Sequence, residues 1–330
     1  MLRFFRSDGR HLHPIEADGP GTVPDDALWI DVIEPTRAEE LALEKALGIE
    51  VPTREDVDEI QTSSRLVEDD GTLFMTGIVP YGDNRQKLHT LPLTFIRAGD
   101  RLVTVRYGFP ESVDRFVRRA AEGKIELDGA DAVMAALFEA IVDRIADRLE
   151  FIGDDLRRIE RTIFRRGTQH SRIGRRLSLG RRIHELQAAI ESLGAHHQVS
   201  FEIRGCLQSF VRLMAFRRTH REDGPGKTRF AAIEGDLKAI ADYDTDLTAS
   251  MEFMLDSTVG LIDVQQNMVI YILSIVGMVL TPPVLVASIY GMNFDHMPEL
   301  HWALGYPFAL LVMLASAAGP YLLFKLKGWL

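Results

Sequence analysis

Charged residues are distributed unevenly along this chain of 330 residues. They occur throughout residues 1–263, whereas residues 264–294 and 302–324 contain none. An α-helix needs about 20 consecutive apolar residues to cross the hydrocarbon core of a bilayer, and both uncharged stretches are longer than that. The pattern therefore predicts two membrane-spanning helices near the C-terminus, although the mean hydropathy of the whole chain is close to zero.

Residues 1–125 have a different pattern, with short apolar segments separated by turn residues. Strands are predicted where β-branched and aromatic residues are concentrated, in LRFFRS, ALWIDVIEP, TLFMTGIVPY, LPLTFIRAG and RLVTVRYG. Helices are predicted over residues 36–47, 53–61 and 111–121. Thr36 and Glu39 have the spacing of a capping box at the start of the first helix. These elements predict an α/β domain.

After residue 130 the pattern becomes that of long helices, with no proline before residue 221. A break is expected at residues 167–174, which predicts a helical hairpin over residues 126–227. From residue 228 onward only Pro282 and Pro283 interrupt the helical pattern before Gly291. We therefore expect one long helix over residues 228–293, a loop over 294–302, a second span over 303–325 and a tail over 326–330.

Two lines of residues run along this long helix at alternating spacings of three and four. The first, the packing seam, is mostly apolar and is expected to contact other helices; it comprises Ile233, Leu237, Ile240, Asp244, Leu247, Met251, Met254, Thr258 and Leu261. The second, the polar seam, carries mainly acidic, small and hydroxyl residues; it comprises Asp242, Asp246, Ala249, Phe253, Asp256, Gly260, Asp263, Asn267, Ile270, Ser274, Gly277, Thr281, Val284, Ser288 and Gly291.

The polar seam has two possible interpretations. Small and hydroxyl residues allow close helix packing in lipid. Polar residues in a span also line water-filled cavities, and the register with Asp256 and Asp263 favours that second interpretation. One such helix cannot enclose a pore, so a ring of identical chains is expected.

The distribution of charged residues predicts both a cation pathway and an orientation in the membrane. Between Lys238 and Lys325 there is no Lys or Arg but there are eight acids, which suits a cation pathway because basic groups there would repel cations. The positive-inside rule applied to Lys325 and Lys327 predicts that both termini are cytoplasmic. No signal peptide is recognised, and the single cysteine, Cys206, excludes an intramolecular disulfide.

Residues 157–182 hold ten arginines and a single acid, which we interpret as a solvated surface paired with acidic surfaces of the domain. The paired histidines His11 and His13 could contact a metal ion, but isolated histidine pairs are usually surface residues and we interpret them so. No catalytic triad or nucleotide-binding turn is recognised, so we expect neither an enzyme, nor an organic cofactor, nor a nucleic-acid partner.

The sequence resembles the CorA family of divalent-cation channels. The resemblance rests on LTPPVLVASIYGMNFDHMPELHW and GYPFALLVMLASAAGPYLLFKLKGWL, and more weakly on ALWIDVIEPT and RLVEDDGTLF. It implies an α+β membrane protein that forms a homopentamer, with an αβα cytoplasmic domain, a helical hairpin, a long pore helix and an outer span. It also implies that Gly291, Met292 and Asn293 form the selectivity motif, and it assigns pore positions to Asn267, Thr281 and Val284, all on the polar seam.

For function, the resemblance implies potential-driven influx of Mg²⁺, and also of Co²⁺ and Ni²⁺, across the inner membrane. Asp295 and Glu299 are expected to attract cations at the outer mouth, and Lys325 and Lys327 to form a basic ring at the inner end. Family members are gated by cytoplasmic Mg²⁺; the residues that would bind it here stay unassigned, and the basic run over residues 157–182 departs from the acid-rich hairpins of other members. The alternatives are a zinc transporter of the same superfamily, which tends to lack the motif's methionine and the Met-Pro-Glu-Leu loop, and a membrane-anchored sensor that conducts nothing.

Overall fold

The computed structural model describes residues 1–17, 19, 22–58, 65–82, 88–164, 179–220, 226–293, 297–298, 302 and 304–328. The chain divides into two compact units. The first comprises Met1–Gly167 and Gln187–Leu255, and the second comprises Thr168–Leu186 and Asp256–Leu330.

The described part of the first unit contains one sheet of seven strands in the order β2-β1-β3-β7-β6-β5-β4. The strands are β1 (Leu2–Ser7), β2 (Leu12–Ile15), β3 (Trp29–Ile33), β4 (Leu66–Asp69), β5 (Thr72–Tyr81), β6 (His89–Ala98) and β7 (Arg101–Arg106). Only β3 and β7 pair in parallel; the other neighbours are antiparallel. All five predicted strand segments are confirmed, whereas the two edge strands, β2 and β4, were not predicted.

Helices cover both faces of this sheet. They are α1 (Arg37–Leu47), α2 (Arg54–Asp58), α3 (Glu111–Ala121) and α4 (Ala130–Phe164). On one face Ile30 and Val103 pack with Leu43 of α1 in a buried cluster. On the other face Trp29 packs edge-on against Phe116 of α3, with 5.4 Å between ring centroids. The sheet is thus the central layer of an αβα arrangement, as predicted.

The capping box at the start of α1 is also confirmed. The backbone N–H of Glu39 donates to the Thr36 hydroxyl oxygen, and the Glu39 carboxylate accepts the backbone N–H of Thr36 at 2.8 Å. The helix ends at Gly48, whose φ of 66° lies in the left-handed region that glycine adopts without strain. Of the other predicted helices, α3 has the expected bounds and α2 lies within its expected range.

Three long helices account for most of the remaining chain: α4, α5 (Leu179–His220) and α6 (Lys227–Tyr290), the last with 64 residues. The expected break at residues 167–174 lies outside the described residues. Phe138 of α4 joins these helices in the first unit, since its ring centroid lies 5.3 Å from that of Phe210 on α5 and 6.0 Å from that of Phe230 on α6.

Burial along α6 confirms the packing seam. Its apolar members are buried or partly buried, and Met251 is fully enclosed. The one acid on the seam, Asp244, is buried as well, and its carboxylate accepts hydrogen bonds from Ser200 and from Arg204 Nε, the latter at 2.9 Å. Because both donors lie on α5, the acid is neutralised by the neighbouring helix instead of by solvent.

The second unit contains the C-terminal part of α6 and helix α7 (Gly305–Leu326). Both helices are long and apolar enough to cross a membrane. Each has a partly covered or buried stripe at helical spacing. On α6 the stripe comprises Gln265, Ile272, Ile275, Val279, Pro282, Pro283, Val286 and Tyr290; on α7 it comprises Gly305, Ala309, Val312, Ser316, Pro320 and Phe324. The predicted fold class, an α+β protein with a long helix and two candidate spans, is confirmed.

Candidate ion pathway

The polar seam lies on the face of α6 opposite its partly covered stripe. Asn267, Ser274, Thr281 and Ser288 each come two positions after a member of that stripe. Two positions correspond to about 200° of rotation on an α-helix, so the two lines lie about 160° apart. Every member of the polar seam from Asp256 to Gly291 is exposed in the single chain, including the apolar positions Ile270, Gly277 and Val284. The seam is therefore a continuous open face.

Hydroxyl groups on this face are oriented by the helix itself. The hydroxyl of Ser274 donates to the carbonyl oxygen of Ile270 at 2.8 Å, and that of Thr281 donates to the carbonyl oxygen of Gly277 at 2.7 Å. Since each hydroxyl proton is used within the helix, the oxygen retains acceptor lone pairs for an outside donor. Water molecules around a hydrated cation are donors of that kind.

The helix ends where the Gly-Met-Asn motif begins. The N–H of Gly291 donates to the carbonyl oxygens of Ala287 at 3.0 Å and Ser288 at 3.2 Å, which closes the last turn. A Cβ atom at Gly291 would lie 3.2 Å from the Ala287 carbonyl oxygen, closer than ordinary contact, so the glycine relieves crowding at this turn. Met292 and Asn293 follow directly, and all three residues are exposed.

Among the described residues, charged groups lie at the N-terminal end of this face and at the end of α7. Asp256 and Asp263 are exposed on the seam itself, on the N-terminal side of the uncharged stretch. The expected outer acids, Asp295 and Glu299, lie outside the described residues. Lys325 and Lys327 are exposed at the C-terminal end of α7, where cations interact favourably with the helix dipole.

The described part of the basic run over residues 157–182 forms local ion pairs. Arg157 pairs with Asp154, Arg158 with Asp155 at 3.1 Å, and Arg182 with Glu185 at 3.2 Å. Each partner is three residues away on the same helix. At both ends of the run these arginines are paired, but with acids of their own helices instead of the expected acidic domain surfaces. Residues 165–178 between them lie outside the described part.

An acidic surface of the first unit was not predicted from the sequence. Burial raises the pKa of Asp143 on α4, and it does so against the opposing effect of Arg119. The nearby carboxylates of Asp147, Glu139 and Asp236 reinforce the increase in pKa, because each disfavours a further negative charge. The three α4 acids are spaced by four residues and so share one helix face, whereas the approach of Asp236 from α6 is visible only in the structure.

Comparisons with known proteins identify the family and the fold. Residues 24–326 match the family described as CorA-like Mg²⁺ transporter protein. The chain is 30% identical over its whole length to the magnesium transport proteins CorA of Yersinia pestis and of Escherichia coli K12, with 100% of each relative covered. Among solved structures, it resembles the complete CorA magnesium transporter of Methanocaldococcus jannaschii with a TM-score of 0.73. That likeness covers 100% of this chain and 99% of the other at 17% identity, so it concerns the fold.

Proposed function

The chain belongs to the CorA-like Mg²⁺ transporter family, and from that membership we propose that it is a homopentameric channel for Mg²⁺ influx. Co²⁺ and Ni²⁺ are proposed as secondary substrates. Five copies of α6 would line the pore with their polar seams, and Gly291, Met292 and Asn293 would select the ion at the outer end. The helix α7 would face the lipid of the inner membrane, with both termini in the cytoplasm.

The observation that carries this proposal is the exposure of the polar seam opposite the covered stripe of α6. A polar face in a span is costly against lipid and is normally turned toward a bundle interior or a water-filled cavity. A ring of copies related by cyclic symmetry would bring these identical faces to one axis. The same ring would bring five Asn293 side chains together at the end of the helix.

The chemistry of the seam suits a hydrated ion. Mg²⁺ loses its water shell reluctantly and usually keeps several waters in protein sites. The Asn293 amide oxygen and the seam hydroxyl oxygens accept hydrogen bonds from such waters without replacing them. Neutral acceptors bind the ion weakly enough for it to leave, which conduction requires. Asp256 and Asp263 would raise the local cation concentration at the inner end, and Asp295 and Glu299 at the outer end.

Three further features belong to the proposal. Membrane potential, negative inside, favours entry by about 2.3 kcal/mol per charge per 100 mV, so a dication needs no other energy source. Lys325 and Lys327 would form a basic ring at the inner end. Cytoplasmic divalent cations would gate the channel, and the acidic surface around Asp143 supports this, because a bound dication relieves repulsion among carboxylates.

The test is ion flux into vesicles that contain the purified protein, with Asn293→Ala as the first variant. We expect Mg²⁺ uptake to fall to the level of empty vesicles while the oligomer, measured by size-exclusion chromatography, stays assembled. Uptake at the wild-type rate would contradict the assignment of the selectivity motif. Wild-type vesicles that accumulate Zn²⁺ but not Mg²⁺ would favour the zinc transporter, and vesicles that accumulate no dication would favour the sensor.

A matched pair of serines tests the seam. Ser274 lies on the polar seam, whereas Ser316 lies on the covered stripe of α7, and each donates to a carbonyl oxygen of its own helix at 2.8 Å. Ser274→Ala and Ser316→Ala therefore remove the same group with the same kind of local bond. We expect only Ser274→Ala to change the Mg²⁺ flux. Equal effects of the two changes would show that the seam has no special role.

A further inference from the structure

The turn between β1 and β2 brings three potential metal ligands together. Asp8 lies in the turn, and His11 and His13 follow on β2 and its approach. One ligand atom from each residue lies within 4.8 Å of the other two. Residues two apart on an extended segment project to the same side, which explains why both imidazoles reach one carboxylate. We propose that Asp8, His11 and His13 form a binding site for a transition-metal dication such as Zn²⁺.

The distances between the ligand atoms support this site. Oδ2 of Asp8 lies 3.3 Å from Nδ1 of His11 and 3.0 Å from Nε2 of His13. Zn²⁺ binds nitrogen and oxygen ligands at about 2.0–2.2 Å in tetrahedral geometry, which places its ligand atoms roughly 3.4 Å apart. The two Asp8–imidazole distances are close to that spacing, and the two imidazole ligand atoms lie within 4.8 Å of each other, so rotation of the imidazoles toward the ion would bring the three ligands to it.

Two of the three ligands are held in position by their surroundings. Oδ1 of Asp8 accepts the backbone N–H groups of Arg10 at 3.0 Å and of His11 at 2.7 Å, and Oδ2 is left facing the imidazoles. The His11 ring lies directly over Gly123, where a Cβ atom would overlap Nε2 and would lie 2.7 Å from Cδ2. Ligands that are already ordered lose less conformational freedom when they bind an ion.

The ligand types determine which ion fits. Two imidazole nitrogens and one carboxylate oxygen suit Zn²⁺ and neighbouring transition metals, whereas Mg²⁺ prefers an octahedral set of oxygens. All three side chains are close to half exposed, so water can occupy a fourth position. The site belongs to the first unit and uses no residue of the polar seam, so it is independent of the proposed transport function.

Isothermal titration of the full-length protein in detergent with Zn²⁺ tests the proposal, in a large excess of Mg²⁺ that occupies sites for hard cations. We expect one Zn²⁺ per chain, with affinity reduced at least ~10-fold by His13→Ala and by Asp8→Asn. Asparagine keeps an oxygen for the two backbone N–H groups, so the turn is preserved. His89→Ala removes another exposed histidine of the same unit and is the control.

Two results would overturn the site. The first is wild-type protein that binds no Zn²⁺ under these conditions, which would leave Asp8 and the histidines as a hydrogen-bonded surface cluster. The second is Zn²⁺ binding that His13→Ala and His89→Ala weaken equally. Hydrogen exchange locates the bound Zn²⁺. The ion is expected to slow exchange of the Arg10 and His11 backbone amides in the wild type but not in His13→Ala.

Discussion

Asp31 carries a buried negative charge at the centre of the sheet, and we predict that its removal lowers the stability of the fold by a measurable amount. Its carboxylate accepts a two-point interaction from Arg106, with Nε to Oδ1 at 3.0 Å and Nη2 to Oδ2 at 2.8 Å. Both side chains are 0% exposed. Thr104 also donates to Oδ1 at 3.0 Å, and Arg3 donates to Oδ2 at 2.6 Å. Asp31→Asn keeps the shape of the side chain but leaves Arg106 without its counter-charge.

Removal of one partner of a buried ion pair costs about 3–5 kcal/mol, because the remaining charge is neither solvated nor compensated. For a domain of this size each kcal/mol lowers the melting temperature by roughly 2–4 °C. Asp31→Asn is therefore expected to lower the melting temperature of the first unit by about 6–20 °C. Arg3 does not reduce this loss of stability, because it is itself a cation and cannot replace the negative charge of Asp31.

Thermal unfolding of the full-length protein in detergent, followed by tryptophan fluorescence at one scan rate, measures this difference. Trp29 reports on the region directly, because it is fully buried and its indole N–H donates to Thr104 at 3.0 Å. Asp26→Asn is the control, since Asp26 and Arg6 form a pair at 3.6 Å in which both side chains are 57% exposed. Such a pair contributes at most about 1 kcal/mol. Coincident melting of the two variants would refute the reasoning.

Two other predictions concern the helices of the first unit. Burial raises the pKa of the Cys206 thiol to about 12, so at pH 8 alkylation should be ~1000-fold slower in the folded than in the denatured chain; equal rates would contradict the burial. Because the folded pKa is the higher one, the thiol's contribution to stability is complete below about pH 9 and is lost as the pH rises toward 12. Gly153→Ala places a Cβ atom against the Tyr243 hydroxyl, so the tyrosine must shift; overpacking of about 1–3 kcal/mol less about 1 kcal/mol gained in helix propensity should leave a cost of about 0–2 kcal/mol of unfolding free energy. Gly194→Ala, with no atom within 4 Å of its Cβ, should be neutral or stabilising by up to about 1 kcal/mol; thermal unfolding of the pair checks the difference in sign.

The central strands and the helix ends could be predicted from sequence because their signals are local. A strand buried on both faces favours a run of apolar side chains, and β3, with all five residues buried, is apolar except for Asp31. The edge strands β2 and β4 have only four residues each and carry polar side chains, and β2 contains Pro14. Proline is tolerated at a sheet edge, where its missing N–H breaks no ladder bond, so short edge strands resemble loops in sequence.

Partners that come from distant parts of the chain could not be predicted. Asp244 interrupts an apolar seam, and the reason becomes visible only when Arg204, 40 residues earlier, is brought beside it. In sequence, His11 and His13 are interpreted as surface residues because isolated histidine pairs usually are. The turn that directs the Asp8 carboxylate toward them is set by two backbone N–H groups, which is a property of the folded hairpin.

The exposed polar seam of α6 indicates that the chain assembles with other copies. The stripe on the opposite side of α6 is partly covered, yet Asp263, Asn267, Ser274 and Thr281 remain exposed. An ionised side chain near the centre of a span costs about 2.5–3.5 kcal/mol on insertion scales, and less toward the membrane surface. Asp263 directly precedes the uncharged stretch, so the hydrocarbon core is expected to begin after this residue. Lipid would therefore meet an amide and two hydroxyls along a line that the chain itself leaves open, and we infer that other copies of the chain, together with water, occupy that side instead.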